Sequence, residues 1–157
     1  MRALTSIAIA AATAWLGAAG PLAAAATKPA DLVPCAYSRG EASEAMSETF
    51  ERTDPADMTI PVGRDVGCLY TLKGSDLVFG VRQTWDSTRP TAAPVPKGYR
   101  KLPGDPNGAV YTSDAADGSS GELVYVVGKV QVTVFWHGAN LTDADGLQRL
   151  QHLRRLP

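Results

Sequence analysis

Apolar and polar residues alternate along two segments in the middle of the chain, which is the pattern of half-buried antiparallel strands. Residues 68–72 and 77–85 have this pattern and are separated by a short polar sequence that favours a turn. With Tyr70 placed opposite Phe79, all opposed residues on one side of the sheet are apolar. The pattern therefore predicts a hairpin with one core face.

A second hairpin is predicted over residues 122–127 and 130–136, because Gly128 suits the first central position of a type II′ turn. One side of this hairpin is apolar throughout, whereas the reverse side is mixed. Five residues of the reverse side form a candidate binding face: Val124, Val126, Thr133, Phe135 and His137. The alternative is that a long loop covers this side.

Two helices flank the strands. Ser38 and Glu41 fit a capping box, and apolar residues recur at helical spacing over 39–51. The closing helix starts after Thr142 as N-cap, and its apolar stripe is Leu147, Leu150 and Leu153. Basic residues favour the end of a helix, so Arg154 and Arg155 are placed in its last turn.

These elements predict an α+β fold, with an antiparallel sheet of about five strands built from two hairpins and both helices packed on one face. Short strands at 58–62 and 109–112 complete the sheet, and Pro61 suggests that the first of them is an edge strand. Residues 86–108 contain five of the eleven prolines, which predicts a long connecting loop.

The start of the chain has the pattern of an export signal. Arg2 is followed by an uncharged stretch over residues 3–19, and the alanines at 23–26 offer the small side chains that signal peptidase requires. We therefore expect a signal peptide over 1–26 and a single exported domain over 27–157. The alternative is an uncleaved membrane anchor, which the weakly apolar, alanine-rich sequence disfavours.

The expected export places the two cysteines in an oxidising compartment, which favours a disulfide between them. Cys35 and Cys68 both lie in the exported part, where two cysteines most simply form one disulfide. A catalytic or metal-binding thiol is the alternative, but no histidine is nearby in the sequence. The disulfide would join the N-terminal end of the first helix to the core face of the first hairpin.

Composition and charge narrow the possible functions. The net charge of -1 argues against nucleic-acid binding driven by excess positive charge. Neither of the two histidines has metal-ligand spacing, and no cofactor motif is present. His137 with Asp143 and a serine could form a triad, but any chain rich in Ser and Asp permits that. We therefore predict no enzyme activity, no metal and no cofactor.

The order of motifs resembles a known family. An export signal precedes Cys35, a capped helix follows, and Val-Gly-Cys-Leu-Tyr occupies 66–70; later come Leu-Pro-Gly at 102–104 and Gly-Ala-Val-Tyr at 108–111. This order is similar to that of the small exported actinobacterial proteins grouped as domain of unknown function 3558. The resemblance implies an extracytoplasmic α+β domain with one disulfide. Many relatives are lipoproteins with a cysteine at the signal cut, but this chain has none there, so no lipid anchor is expected.

Three functions follow as hypotheses. The first is a secreted, non-catalytic binding domain that engages an unknown protein or a small apolar ligand, without a stable membrane span after signal cleavage. The second is an exported hydrolase (protease) inhibitor that presents the loop 86–108, since a proline-stiffened loop loses less entropy on binding. The third, and weakest, is a hydrolase that uses His137.

Overall fold

The structure is a computed structural model that describes residues 31–60, 63–88, 95–114, 119–138 and 141–156. Two helices and seven strands occur in these ranges: α1 (Arg39–Met46), β1 (Arg52–Ile60), β2 (Gly63–Thr71), β3 (Val78–Asp86), β4 (Arg100–Lys101), β5 (Val110–Ser113), β6 (Ser120–Val127), β7 (Val130–His137) and α2 (Asp143–His152). The predicted signal peptide over 1–26 lies outside the described residues.

All seven strands form one antiparallel sheet in the order β1-β2-β3-β7-β6-β5-β4. Both predicted hairpin registers are present, since Tyr70 pairs with Phe79 and Tyr125 pairs with Val132. Gly128, between β6 and β7, has a φ of 61°, as the first central residue of a type II′ turn requires. The α+β class with two helices is confirmed, but the predicted strand count of about five is too low.

The sequence pattern missed strand residues at both ends of the sheet. Strand β4 lies inside the segment 86–108, which was expected to be loop throughout, and two residues are too few to show alternation. Strand β1 begins at Arg52 rather than at residue 58, and it continues through Pro55. A proline is tolerated there because β1 is an edge strand, as predicted.

Both helices cover the same face of the sheet, which we call the core face. Helix α1 buries Ala42 and Met46 against it, and α2 buries Gly146 and Leu150. The fully or nearly fully buried hydrophobic strand residues of this face are Val66, Cys68, Tyr70, Phe79, Val81, Tyr111, Leu123, Tyr125, Val130, Val132, Val134 and Trp136. Alternation along the strands therefore sends one set of residues into a single core.

Helix α1 ends at Met46, earlier than the predicted range of 39–51. Ser47 adopts the left-handed conformation with a φ of 54°, and the Phe50 N–H donates to Ser43 Oγ at 3.1 Å. The chain leaves the helix at this point, so Phe50 lies between α1 and β1. Its side chain is nevertheless buried, so this apolar residue of the predicted range 39–51 belongs to the core although it lies outside the helix.

The predicted helix N-caps are confirmed. Ser38 Oγ accepts from the Glu41 N–H at 3.2 Å, and a Glu41 carboxylate oxygen accepts from the Ser38 N–H at 2.8 Å, which completes the capping box. Thr142 Oγ1 accepts from the Asp145 N–H at 3.1 Å. Both helices therefore start where the sequence places them.

The prediction for the end of the second helix is wrong. Helix α2 ends at His152, so Arg154 and Arg155 lie beyond it. Arg154 Nε donates to a Glu41 carboxylate oxygen at 2.6 Å, and Arg155 forms an ion pair with Asp105. These arginines bind neighbouring segments instead of the end of their own helix.

Cys35 and Cys68 form the predicted disulfide, with their Cα atoms 4.7 Å apart. The bond joins the segment that precedes α1 to strand β2, on the core face. The two sulfur atoms are therefore not free thiols, which removes the catalytic or metal-binding alternative for this pair. The chain is a small α+β domain braced by one disulfide.

Candidate functional site

The candidate binding face lies on the side of the sheet that the helices leave uncovered, which we call the outer face. Its residues point away from the core because they alternate with the buried residues of β6 and β7. Val124 pairs with Thr133 across these two strands. His137 is exposed, and the other four are half-buried: Val124, Val126, Thr133 and Phe135. The structure thus brings the five residues together; that they bind a partner stays a prediction.

Phe135 has the most specific environment on the outer face. Its Cα partner on β3 is Gly80, and a Cβ built on Gly80 would lie 2.6 Å from Cε1 and 2.8 Å from Cε2 of Phe135. The aromatic ring therefore leans across the strand over the glycine, in the space that a side chain would fill. This contact resembles the pairing by which an aromatic residue covers a glycine in a sheet.

Polar groups surround this ring. On β6, Glu122 is the Cα partner of Phe135 and Ser120 is the partner of His137, so these four residues form a block of two adjacent pairs. Tyr99 Oη donates to Glu122 Oε1 at 2.8 Å. Burial raises the pKa of Tyr99 to about 12, and the hydrogen bond to Glu122 acts in the same direction, so the phenol remains a proton donor at neutral pH.

A cleft of about 550 Å³ opens beside this block, where β5 and β7 end and β6 begins. Its lining combines hydroxyls, carboxylates and the half-buried ring of Phe135, and its residues are Thr112, Ser113, Asp114, Ser120, Gly121, Glu122, Phe135, Trp136 and His137. Pockets of about 300–1,000 Å³ commonly hold small-molecule ligands. The candidate face therefore adjoins a space large enough for a small ligand.

The described part of the loop 86–108 reaches the outer face only at one edge. Tyr99 contacts Glu122 as above, and Thr112 Oγ1 donates to the Gly98 carbonyl oxygen at 3.1 Å. Coverage of the outer face by the loop, the alternative raised by the sequence, is thus seen beside β5 and β6 in the described residues. The prolines at 90 and 94 lie outside them.

The same loop is anchored at its C-terminal end. The Leu102 N–H donates to the Ala109 carbonyl oxygen at 2.9 Å, and the Asp105 carboxylate accepts from the Asn107 N–H at 2.9 Å and from Arg155. Residues 95–98 are exposed. The longest exposed run among the described residues of this loop is therefore 95–98, which an inhibitor could present to a hydrolase, and the inhibitor hypothesis stays a prediction.

The Asp143 carboxylate hydrogen-bonds to Ser113 and Arg100, which fix α2 to the β4–β5 edge. These two groups, Ser113 first, lower the pKa of Asp143 below its ordinary value. The carboxylate thus serves a structural contact, and in the described residues no hydrogen bond joins it to His137. The triad considered from the sequence is not assembled here, and the absence of enzyme activity remains a prediction.

Four residues of the site were not among the predicted contact residues: Gly80, Tyr99, Ser120 and Glu122. Gly80 lies opposite Phe135 because β3 pairs with β7. These strands are far apart in the sequence, so the pairing could be predicted only if the order of the strands were known. Tyr99 could not have been found in this way, since no pattern predicts where an irregular segment crosses a sheet.

Comparisons with family models, curated proteins and solved structures find no significant match for this chain. Among the described residues, no three or more His, Cys, Asp or Glu side chains are grouped so that they could hold a metal ion. No helix within the described ranges has the length and apolar character needed to cross a membrane.

Proposed function

We propose that this protein is an extracytoplasmic, non-catalytic binding domain whose ligand contacts the outer face around Phe135. The observation that carries the proposal is the position of Phe135, which leans over Gly80 on the face that both helices leave uncovered. A buried position would give the ring a packing role alone, but this ring is only half-buried.

The surroundings of the ring support a contact surface. Leu69, the Cα partner of Gly80 on β2, is 41% exposed, and Val124 and Val126 lie half-buried on the two rows beyond Phe135. Apolar side chains grouped on one open face mark contact surfaces more often than apolar residues scattered singly. The disulfide and the export pattern of residues 1–26 support an extracytoplasmic location.

We also propose that the chain is related to the exported actinobacterial proteins of domain of unknown function 3558, which it resembles in sequence. The resemblance agrees with the small α+β domain and with the disulfide between Cys35 and Cys68. No activity comes with that resemblance, so the proposed binding role depends on the outer face alone.

Native mass spectrometry of the full chain, recovered from the culture medium of the organism that encodes it, tests the proposal. We expect a chain that starts at residue 27, carries one disulfide, and retains additional mass from a bound molecule. The double variant Phe135→Asp/Val124→Asp should lose that mass, because two charges on the outer face oppose apolar contact.

Met58→Asp is the matched control, since Met58 is 62% exposed on the same face but lies on edge strand β1. This variant should keep the bound mass. A wild-type protein without any bound molecule, or a bound mass that survives in the double variant, contradicts binding at this face. An uncleaved chain found only in membranes contradicts the proposed location.

A further inference from the structure

We infer that the ligand of this face is a neutral saccharide, with one sugar ring stacked on Phe135 and its hydroxyls bound by Ser120, Glu122 and His137. The inference rests on the proposed binding function and specifies its ligand class. Its observations are the cleft beside β5–β7, the ring that leans over Gly80, and the polar groups that border the ring.

The aromatic ring supplies the apolar half of such a site. The face of an aromatic ring carries partial negative charge, and the C–H groups on one side of a sugar ring carry partial positive charge. A ring that stood upright on the sheet would offer only its edge. Phe135 instead leans across β3, and Gly80 permits this because it has no Cβ.

The neighbouring groups supply the polar half. A sugar hydroxyl both donates and accepts, so its site needs groups of both kinds. Glu122 accepts from Tyr99 through Oε1 only, and among the described residues its Oε2, the Ser120 hydroxyl and the His137 imidazole have no hydrogen-bond partner. The carboxylate accepts, the hydroxyl does both, and the imidazole does both when neutral.

The same lining disfavours other ligand classes. The described residues that line the cleft include Asp114 and Glu122 but no lysine or arginine. Arg82, whose charge acts on Glu122, is already paired with Asp65. A phosphate or carboxylate ligand would therefore meet carboxylates without a free cation from the described lining. A lipid or an apolar peptide needs a wider apolar surface than one half-buried ring bordered by Glu122, Ser120 and His137. One aromatic ring among hydroxyl-binding groups fits a polar, uncharged molecule with an apolar side.

The test is titration of the folded, disulfide-bonded protein with four soluble neutral hexasaccharides: cellohexaose, maltohexaose, fully N-acetylated chitohexaose and mannohexaose. Backbone amide shifts in the NMR spectrum report the site. We expect saturable shifts at Gly80, Glu122 and Phe135 with at least one of the four. If none of the four saccharides causes these shifts at millimolar concentration, the inference is wrong.

Variants separate stacking from folding. Phe135→Leu keeps an apolar side chain over Gly80 but removes the ring, and it should weaken binding at least about tenfold. Phe135→Tyr keeps the ring and should bind within about threefold of the wild type. Glu122→Gln tests the carboxylate separately, and Met58→Ala controls for changes elsewhere on the face. Equal binding by the Leu and Tyr variants overturns the stacking geometry.

The inference and the proposed function can fail separately. If the bound mass seen by native mass spectrometry depends on Phe135 but is a protein or a lipid, the proposed function holds and the saccharide inference is wrong. If saccharides shift residues far from Phe135 and the native bound mass survives Phe135→Asp/Val124→Asp, both are wrong.

Discussion

The two faces of the sheet use aromatic residues in opposite ways. On the core face, Phe79 is fully buried and its ring centroid lies 5.2 Å from that of Tyr70 and 6.1 Å from that of Phe50. On the outer face, Phe135 leans over a glycine and remains half-buried. The two phenylalanines belong to neighbouring strands, so the difference comes from which face each one occupies.

This difference follows from the helices, not from the strands. Strand alternation assigns Phe79 and Phe135 to opposite sides, but only one side is covered by α1 and α2. A ring under two helices contributes to stability by burial. A ring on the open side contributes less to stability, and it is available for contact. The same substitution should therefore change the free energy of unfolding by different amounts on the two faces.

The largest expected effect is at Phe79. Truncation to alanine removes a fully buried ring and leaves a cavity, so Phe79→Ala should lower the free energy of unfolding by about 3–5 kcal/mol. Phe135→Ala should lower it by about 1 kcal/mol, because much less of that ring is withdrawn from water. Urea unfolding followed by fluorescence measures both.

The contrast between the two alanine variants is the informative quantity. Equal losses at Phe79 and Phe135 would show that the outer face is covered in solution, and the binding proposal would lose its surface. A small loss at Phe135 together with lost ligand binding supports it.

Removal of the disulfide is the next largest change. Cys35 and Cys68 are separated by 33 positions in the sequence, and closure of a loop of that length contributes about 3.5–4 kcal/mol in the loop-entropy model, an upper figure. We expect Cys35→Ala/Cys68→Ala to lose about 2–4 kcal/mol in urea unfolding. Urea unfolding of the wild type with and without a reductant compares the protein with and without the disulfide in a second way.

The disulfide also distinguishes the two faces. Because it lies on the core face, the Cys-to-Ala variant should bind ligand as the wild type does at low temperature, where it remains folded. Weaker binding by a fully folded variant would contradict the separation of a structural face from a contact face.

The fold could be predicted to the extent that it depends on local pattern. Alternation and turn residues determined the register of both hairpins, and side-chain capping determined where both helices start. Helix ends were predicted poorly at Ser47 and His152, because a left-handed residue or an early stop depends on where the following segment packs. An apolar residue such as Phe50 is buried in the core whether it lies in the helix or after it, so its apolar character does not show where the helix ends.

The candidate site was predictable only in part, for a related reason. Phe135 and His137 were identified because they alternate with buried residues on their own strand. Gly80 comes from β3, and its role depends on which strand lies beside β7. Strand order is a long-range property, so a contact between these two strands cannot be read from the periodicity of either.

Alkaline pH should destabilise the core face. Burial raises the pKa of Tyr70 to about 12 from an ordinary value of 10.0, so between these pH values the unfolded chain loses this proton more readily than the folded one. The stabilisation is complete below pH 10 and is lost as the pH rises towards 12. The two-unit difference corresponds to about 2–3 kcal/mol, measurable by urea unfolding at several pH values.

Tyr70→Phe provides the control for this pH dependence. The variant loses the hydrogen bond from Tyr70 Oη to the Tyr37 carbonyl oxygen and is less stable at every pH, but its stability should fall less steeply above pH 10. Burial also raises the pKa of Tyr37 and Tyr125, so some slope remains. An unchanged slope in Tyr70→Phe would contradict the assignment to Tyr70.

The smallest expected effects compare two glycines that each lie under an aromatic ring. A Cβ on Gly121, on the core face, would lie 2.7 Å from Trp136 Nε1 and 2.8 Å from Tyr111 Oη, and both side chains are fixed by packing. Gly121→Ala should therefore cost about 1–3 kcal/mol. A Cβ at Gly80 would meet the Phe135 ring even more closely, but that ring can rotate towards solvent, so for Gly80→Ala we expect a loss of about 1 kcal/mol or less.

Gly80→Ala should nevertheless abolish ligand binding, because the displaced ring no longer leans over the strand. Gly121→Ala should keep the outer-face shifts on titration, provided that the variant is folded at the temperature used. This reversal, with the milder substitution causing the greater loss of binding, depends on Phe135 acting through its orientation and not through its contribution to stability. Undiminished binding by Gly80→Ala would mean that the glycine is needed only for packing, and the leaning ring would then have no part in recognition.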